Sequence, residues 1–193
     1  MSGGHVELHL IRHARAAERG PAYPDDTLRP LVAKGEAQAQ ALARAWERMG
    51  VGIDQLATSP WLRARQTADA LRDLAGALVV TEALAQGDPA RSARALARLA
   101  TGSNPDAPIS GGPDDGWLAA RQPALASARV AAVGHEPWLS ELAAWLLAGD
   151  AAALRITFRK AAVLTLAGEP RPGGMALQAF VPMRTVKALL TGP

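Results

Sequence analysis

The chain has no cysteine among its 193 residues. That excludes a disulfide framework, a thiolate metal site and cysteine-dependent phosphatase chemistry, so any covalent nucleophile must be another residue. Lysine is nearly as scarce, occurring only at Lys34, Lys160 and Lys187, so the net charge of +3 rests on arginine. The arginines are scattered through alanine-rich stretches and form no basic run, which argues against nucleic acid as a partner. No apolar segment is long enough to span a bilayer, and Met1-Ser2-Gly3-Gly4-His5 lacks a basic flank ahead of a signal-like apolar core. The expectation is a soluble cytoplasmic protein with no membrane partner.

What is present is 49% hydrophobic residues, enough for one substantial core and a single domain spanning 1–193. Strand and helix patterns alternate along it. Val6 to Ile11 reads as a strand. Val32 to Met49 carries Ala37, Ala41, Leu42, Ala45, Trp46 and Met49 at helical spacing, with Gly50 to end the helix. A strand Ile53 to Thr58, a helix Trp61 to Leu74 with Pro60 at its start, and a short strand Leu78 to Thr81 follow. A helix from about Pro89 to Ala100, a strand Arg129 to Val133 and a helix Leu139 to Leu147 continue the rhythm. This pattern predicts an α/β fold, a sandwich of helices around a largely parallel sheet. Gly102 to Gly116, rich in Gly, Pro, Asp and Ser, reads as a surface loop and a candidate flap near a site. Ala161 to Ala167 and Met175 to Val181 flank a Gly/Pro-rich turn, predicting a hairpin before a last short helix.

Arg12 and His13 end the first strand. An imidazole nucleophile beside a guanidinium suits attack on a phosphoryl group whose charge must be balanced. Two further segments follow strands: Ser59-Pro60-Trp61-Leu62-Arg63-Ala64-Arg65-Gln66-Thr67, and Val133-Gly134-His135-Glu136-Pro137. Ligands of α/β sheets gather beyond the carboxyl ends of the strands, so two histidines and two arginines can converge there. One neutral imidazole would attack phosphorus while the arginines and a protonated second imidazole stabilise the non-bridging oxygens.

These residues carry a family resemblance. Leu10-Ile11-Arg12-His13, Ser59-Pro60 with Arg63-Ala64 and Gln66-Thr67-Ala68, and Gly134-His135 resemble the histidine phosphatase superfamily, the phosphoglycerate mutase-like group. The string Asp-Asp-Thr-Leu-Arg-Pro-Leu ending at Leu31, then Gly35 and Gln38-Ala39, and Val133 to Pro137 are most similar to the SixA-type phosphohistidine phosphatases. The resemblance implies a three-layer α/β/α sandwich and a covalent phosphohistidine intermediate on His13. Arg12, Arg63 and His135 would complete the phosphate pocket, with neither metal nor other cofactor. One position departs from the family: Ala14 stands where glycine is usual, which would strain a backbone needing positive φ or close approach to phosphate.

Two carboxylates are candidates for the general acid. Glu82 stands just past the strand Leu78 to Thr81, where the mutase-like branch often carries its acid, and Glu136 directly follows His135. The plainer readings are a solvated loop residue for Glu82 and, for Glu136, a helix N-terminal residue complementing the dipole. His5, Glu7 and His9 alternate on one strand face and read as ordinary strand positions rather than a metal site. Trp61 and Trp138 each begin a helix beside a motif, as pocket rim or as packing aromatics. Arg65 reads as an exposed helix position, and Asp26 with Arg29 as a pair ordering the loop before the first long helix. The sequence thus points to a phosphatase whose partner is a phosphohistidine carrier protein. The alternatives are a small-molecule phosphomonoesterase or mutase acting on a small phosphorylated metabolite, and a non-catalytic pseudophosphatase that binds phosphoproteins.

Overall fold

A computed structural model describes residues 5–85, 87–107 and 128–191. Six strands form one sheet in the order β3-β2-β4-β1-β5-β6: β1 (Val6–Arg12), β2 (Ile53–Thr58), β3 (Ala75–Val80), β4 (Ala128–Gly134), β5 (Val163–Gly168) and β6 (Met175–Val181). Strands β3, β2, β4 and β1 run parallel, while β5 is antiparallel to both β1 and β6. The period-2 pattern explains why the centre is buried on both faces. Val6, Leu8 and Leu10 of β1, with Val130 and Ala132 of β4, enter one apolar cluster, whereas Ile11, Ala131 and Val133 enter the other.

Helices cover both faces. α1 (Ala33–Met49), α2 (Leu62–Asp69) and α5 (Met183–Thr191) pack on the face of Ile11, through Leu42, Trp46, Ala64, Ala68 and Val186. α3 (Pro89–Ala100) and α4 (Trp138–Ala148) cover the other through Leu96, Leu99, Leu139, Leu142 and Leu146. The product is the three-layer α/β/α sandwich with a mostly parallel sheet. Local chemistry sets the helix ends: Gly50 takes the left-handed conformation (φ +66°) after α1, and Asp88 caps the Pro-started α3 by accepting from Ala90 N at 3.0 Å. Among the described residues no helix is long and apolar enough to cross a membrane.

Three boundaries differ from the sequence reading. The helix expected to run from Trp61 to Leu74 stops at Asp69 and gives way to a short 3-10 helix, Arg72–Leu74. The strand expected to begin at Leu78 begins at Ala75, because Ala75 to Leu78 pair with Ile53 to Leu56 of β2. Ala-Gly-Ala has little intrinsic strand preference, so pairing alone makes it a strand. β5 starts at Val163, two residues late, because Ala161 adopts φ +57°. Of the segment Gly102 to Gly116, residues 102–107 form turns, with Thr81 Oγ1 donating to Asp106 Oδ1 at 2.7 Å; residues 108–116 lie outside the described residues.

One glycine sets how closely α1 approaches the loop after β1. A Cβ on Gly35 would stand 1.9 Å from the Arg15 carbonyl oxygen, which itself accepts the Val32 N–H at 3.1 Å. Both sides of that contact are backbone, so neither can yield cheaply. Gly35→Ala is expected to cost about 2–3 kcal/mol and to lower Tm by roughly 5–10 °C in a thermal melt. A variant melting within about 1 °C of the parent contradicts this contact.

Candidate active site

The tips of β1, β4 and β2 are tied together by backbone. His13 N donates to Gly134 O (3.0 Å), Ser59 N to Val133 O (3.1 Å) and Ala161 N to Arg12 O (3.1 Å). This places His13, the Ser59 segment, His135 and the turn before β5 around one cleft of about 570 Å³. Arg12, His13, Trp61, Arg63, His135 and Lys160 are among its walls.

His13 is 3% exposed. Its Nδ1 lies 2.8 Å from the Ala14 carbonyl, which can only accept, so Nδ1 carries the ring proton and the Nε2 lone pair is the nucleophilic site. Nε2 faces two donors, Arg63 Nε at 3.3 Å and Lys160 Nζ at 3.2 Å. Burial, then chiefly the charge of Lys160, with Arg63 adding to it, drives the His13 pKa down to about 2, so the ring is neutral across the physiological range. Ala14 lies outside the positive-φ region in which alanine would be strained. Among the described residues the one non-glycine residue with positive φ is Ala161, while Ala14 is fully buried with its N–H on Thr67 Oγ1 (3.0 Å). Thr67 in turn donates to Arg63 O (2.7 Å), and Gln66 Oε1 accepts from Leu31 N (2.7 Å). The Gln-Thr pair of the motif thus holds the nucleophile loop and the preceding loop against α2.

Arg63 enters from the first turn of α2 and is 2% exposed. Its Nη1 donates to Asp26 O (2.6 Å) and its Nη2 to Asp26 Oδ2 (3.0 Å), and its guanidinium lies 4.5 Å over the Trp61 ring. Asp26 does more than pair with Arg29. It also binds Arg63 and Arg19, with Arg29 Nε and Arg19 Nε on Oδ1 at 2.7 and 2.9 Å. Burial alone would raise its carboxyl pKa, but the Arg29 hydrogen bond and the charges of Arg63, Arg29 and Arg19 outweigh that and hold it at about 2.

His135 is 5% exposed, with its Nε2 2.9 Å from Ser59 Oγ and its ring 5.1 Å from that of His13 and 4.5 Å from that of Trp61. The sequence anticipates a second imidazole that is protonated against phosphoryl oxygens. Burial, then Arg63 and Lys160, lowers the His135 pKa to about 3. The Nε2–Ser59 Oγ hydrogen bond fits either tautomer, because a hydroxyl both donates and accepts, and Nδ1 is buried with no partner among the described residues. A bound phosphoryl dianion would pull the pKa of this imidazole back up, because opposite charge favours the charged form.

Arg12 reaches the cleft with Nη1 on the Phe158 carbonyl (2.5 Å) and a buried, unpaired Nε. Glu136 lines the cleft, but its carboxylate accepts from Phe158 N (2.7 Å) and Ser140 Oγ (2.6 Å), so it ties β4 to the turn before β5. Glu82 is not brought in with the others: it is exposed, in the short 3-10 helix Glu82–Leu84, and the wall from that stretch is Ala85 and Gly87. Trp61 and Trp138 both line the cleft, and Arg65 is exposed. His5 is exposed, while His9 is buried with Nδ1 on Thr165 Oγ1 (3.0 Å) and its ring against Trp46. Among the described residues no group of three or more His, Cys, Asp or Glu could hold a metal.

Sequence reasoning missed Lys160. The available signal was slight: one of three lysines in an arginine-rich chain, placed just before a strand. Its ammonium is half-buried, and burial followed by the charges of Arg12, Arg63 and Arg29 lowers its pKa to about 8.

Comparison with known proteins gives the family and the fold. Residues 8–86 match the family model of the histidine phosphatase superfamily (branch 1). An uncharacterized protein of Picosynechococcus sp. is 30% identical over 188 residues, 97% of each chain. The structure of the protein histidine phosphatase SixA complexed with tungstate superposes with a TM-score of 0.70 at 20% identity, covering 93% of this chain and 99% of that one. Phosphoglycerate mutase from Bacillus anthracis superposes at 0.60 with 14% identity, over 97% of both chains.

Proposed function

This chain belongs to the histidine phosphatase superfamily, and on that premise we propose that it is a phosphatase working through a covalent phosphohistidine on His13, with protein phosphohistidine as its substrate. The observation that carries the reading is the His13 tautomer: Nδ1–H held by the Ala14 carbonyl, and a neutral Nε2 lone pair turned toward Arg63 and Lys160. Nε2 attacks phosphorus and the bond to the leaving group breaks. Arg12, Arg63 and His135 bind the non-bridging oxygens during the transfer, so no metal is called for. Water then attacks phospho-His13, releasing inorganic phosphate and the neutral imidazole.

Two features bear on the substrate. Glu82 does not line the cleft and Glu136 is held by two donors, so neither carboxyl is poised to protonate a leaving group, and Glu82→Gln should leave turnover intact on every substrate. Arg19, at the mouth with Arg29, offers cationic surface to a protein carrying the phosphoryl group.

A turnover panel tests this: phosphohistidine-bearing carrier proteins, sugar phosphates, phosphoglycerates and nucleotides, with His13→Ala as blank. The expected result is a kcat/KM for the carrier protein at least about tenfold above every small ester, with Glu82→Gln within about twofold of the parent on all substrates. Preference for a phosphoglycerate or sugar phosphate, with a large loss in Glu82→Gln, would establish the metabolite phosphatase or mutase instead. Binding of phosphorylated partners with no phosphate released from anything would leave a pseudophosphatase.

A further inference from the structure

We propose that Lys160 is the proton-transfer residue of this cleft, its ammonium protonating the leaving atom as phospho-His13 forms and its amine deprotonating the water that hydrolyses it. This rests on the covalent route through His13 argued above. Lys160 Nζ stands 3.2 Å from His13 Nε2, the place to which the phosphoryl group must come. A substrate therefore displaces the ammonium from Nε2, and a four-carbon stem lets it move onto an oxygen or nitrogen of the incoming group.

The turn that presents Lys160 is built into the site. Ala161, in the left-handed conformation, donates its N–H to Arg12 O, and Arg12 Nη1 donates back to the Phe158 carbonyl. The lysine is thereby tied to the strand that bears the nucleophile.

The other groups facing the cleft are poor proton donors. Arg12, Arg19, Arg29 and Arg63 do not release protons at working pH. The Glu136 carboxylate accepts two hydrogen bonds, and Glu141 packs against Gly87 beside Trp138. His135 is neutral, with Nε2 engaged by Ser59. Lys160, held at about 8 by burial and the surrounding arginines against the partial opposition of Glu136, can give a proton near neutral pH and take one back.

The cycle balances. In the first half the Nε2–phosphorus bond forms, the bond from phosphorus to the leaving atom breaks, and a proton passes from Nζ to that atom, leaving a neutral amine. In the second half a water oxygen bonds to phosphorus, its proton passes to Nζ, and the phosphorus–Nε2 bond breaks, restoring the ammonium and the neutral His13.

The experiment uses the full chain with p-nitrophenyl phosphate, whose leaving group needs little protonation, and glycerol 2-phosphate, whose alkoxide needs it fully. Lys160→Met and Lys160→Arg are compared with the parent. Expected for both variants is a loss of roughly 10²–10³ in kcat/KM on glycerol 2-phosphate, less than about tenfold on p-nitrophenyl phosphate, and disappearance of the basic limb near pH 8. Rescue of glycerol 2-phosphate hydrolysis by Lys160→Arg overturns the proposal, because arginine restores charge but not a transferable proton. Equal losses on the two substrates, or a basic limb that persists, overturn it as well. Rapid quench with ³²P-labelled substrate separates failure of the route itself, which would show as a parent enzyme that forms no phosphoenzyme. Tungstate binding within about threefold of the parent verifies that each variant keeps its pocket.

Discussion

His13→Ala abolishes turnover, with kcat falling by roughly 10⁴-fold or more and no phosphate trapped on the protein after acid-free quench. The size follows from what the substitution removes. The ring is the one neutral nitrogen nucleophile whose lone pair meets both Arg63 and Lys160, and no other residue can occupy its place at the tip of β1. The fold survives, because the His13 backbone N–H still binds Gly134 O and its Cβ remains. The variant should therefore bind tungstate and melt within a few degrees of the parent, so that lost activity cannot be ascribed to lost structure. Trapping with ³²P-labelled substrate is the direct measurement, and an unchanged rate in His13→Ala ends the covalent mechanism.

Arg63→Ala is expected to be nearly as damaging, for two separable reasons. The first is catalytic. The guanidinium donates through Nε to the nucleophile and is fixed by Asp26 and the Trp61 face, so it is organised before any phosphoryl charge arrives. Removing one such preorganised donor costs roughly 10²–10³ in kcat. The second is structural: Asp26 loses two charge-assisted donors, for an expected loss of about 1–3 kcal/mol.

Linkage gives this a sign. With its folded pKa at about 2, Asp26 contributes stability that is fully present above its unfolded value, near 3.9, and is lost as pH falls through about 2. In Arg63→Ala the folded pKa rises, so acid unfolding begins at higher pH than in the parent. Arg63→Lys keeps the charge and loses the fork that binds Asp26 and His13 together, so it should resemble Arg63→Ala in rate. A lysine variant with parental kcat would show that charge alone suffices and that the Asp26 anchor is dispensable.

The strands that lead into the cleft were legible because they are buried on both faces and rich in Val, Ile and Leu, as Val6 to Ile11 is. Where the sequence reading slipped, propensity and pairing disagreed. Ala75-Gly76-Ala77 has no strand signal of its own and becomes a strand through β2, which in turn shortens α2. Arg12, His13, Arg63 and His135 were found because each follows a strand on the same edge of a parallel sheet, a position readable from order alone.

Charge states and neighbours were not readable in that way. That His135 is neutral depends on burial and on Arg63 and Lys160 around it, and that Asp26 gathers three arginines depends on where the loop before α1 returns.

The sequence by itself determined the α/β class, the absence of thiol chemistry and the four residues, Arg12, His13, Arg63 and His135, that meet around one cleft, because hydrophobic period and residue type are local properties. Only the tertiary structure decided which nitrogen of His13 carries the proton, that Glu82 does not line the cleft, and that Lys160, 147 positions from His13, meets its Nε2. Those outcomes rest on distances between groups far apart along the chain. Hydrogen-bond geometry and electrostatic shifts arise only once the sheet has brought those groups together.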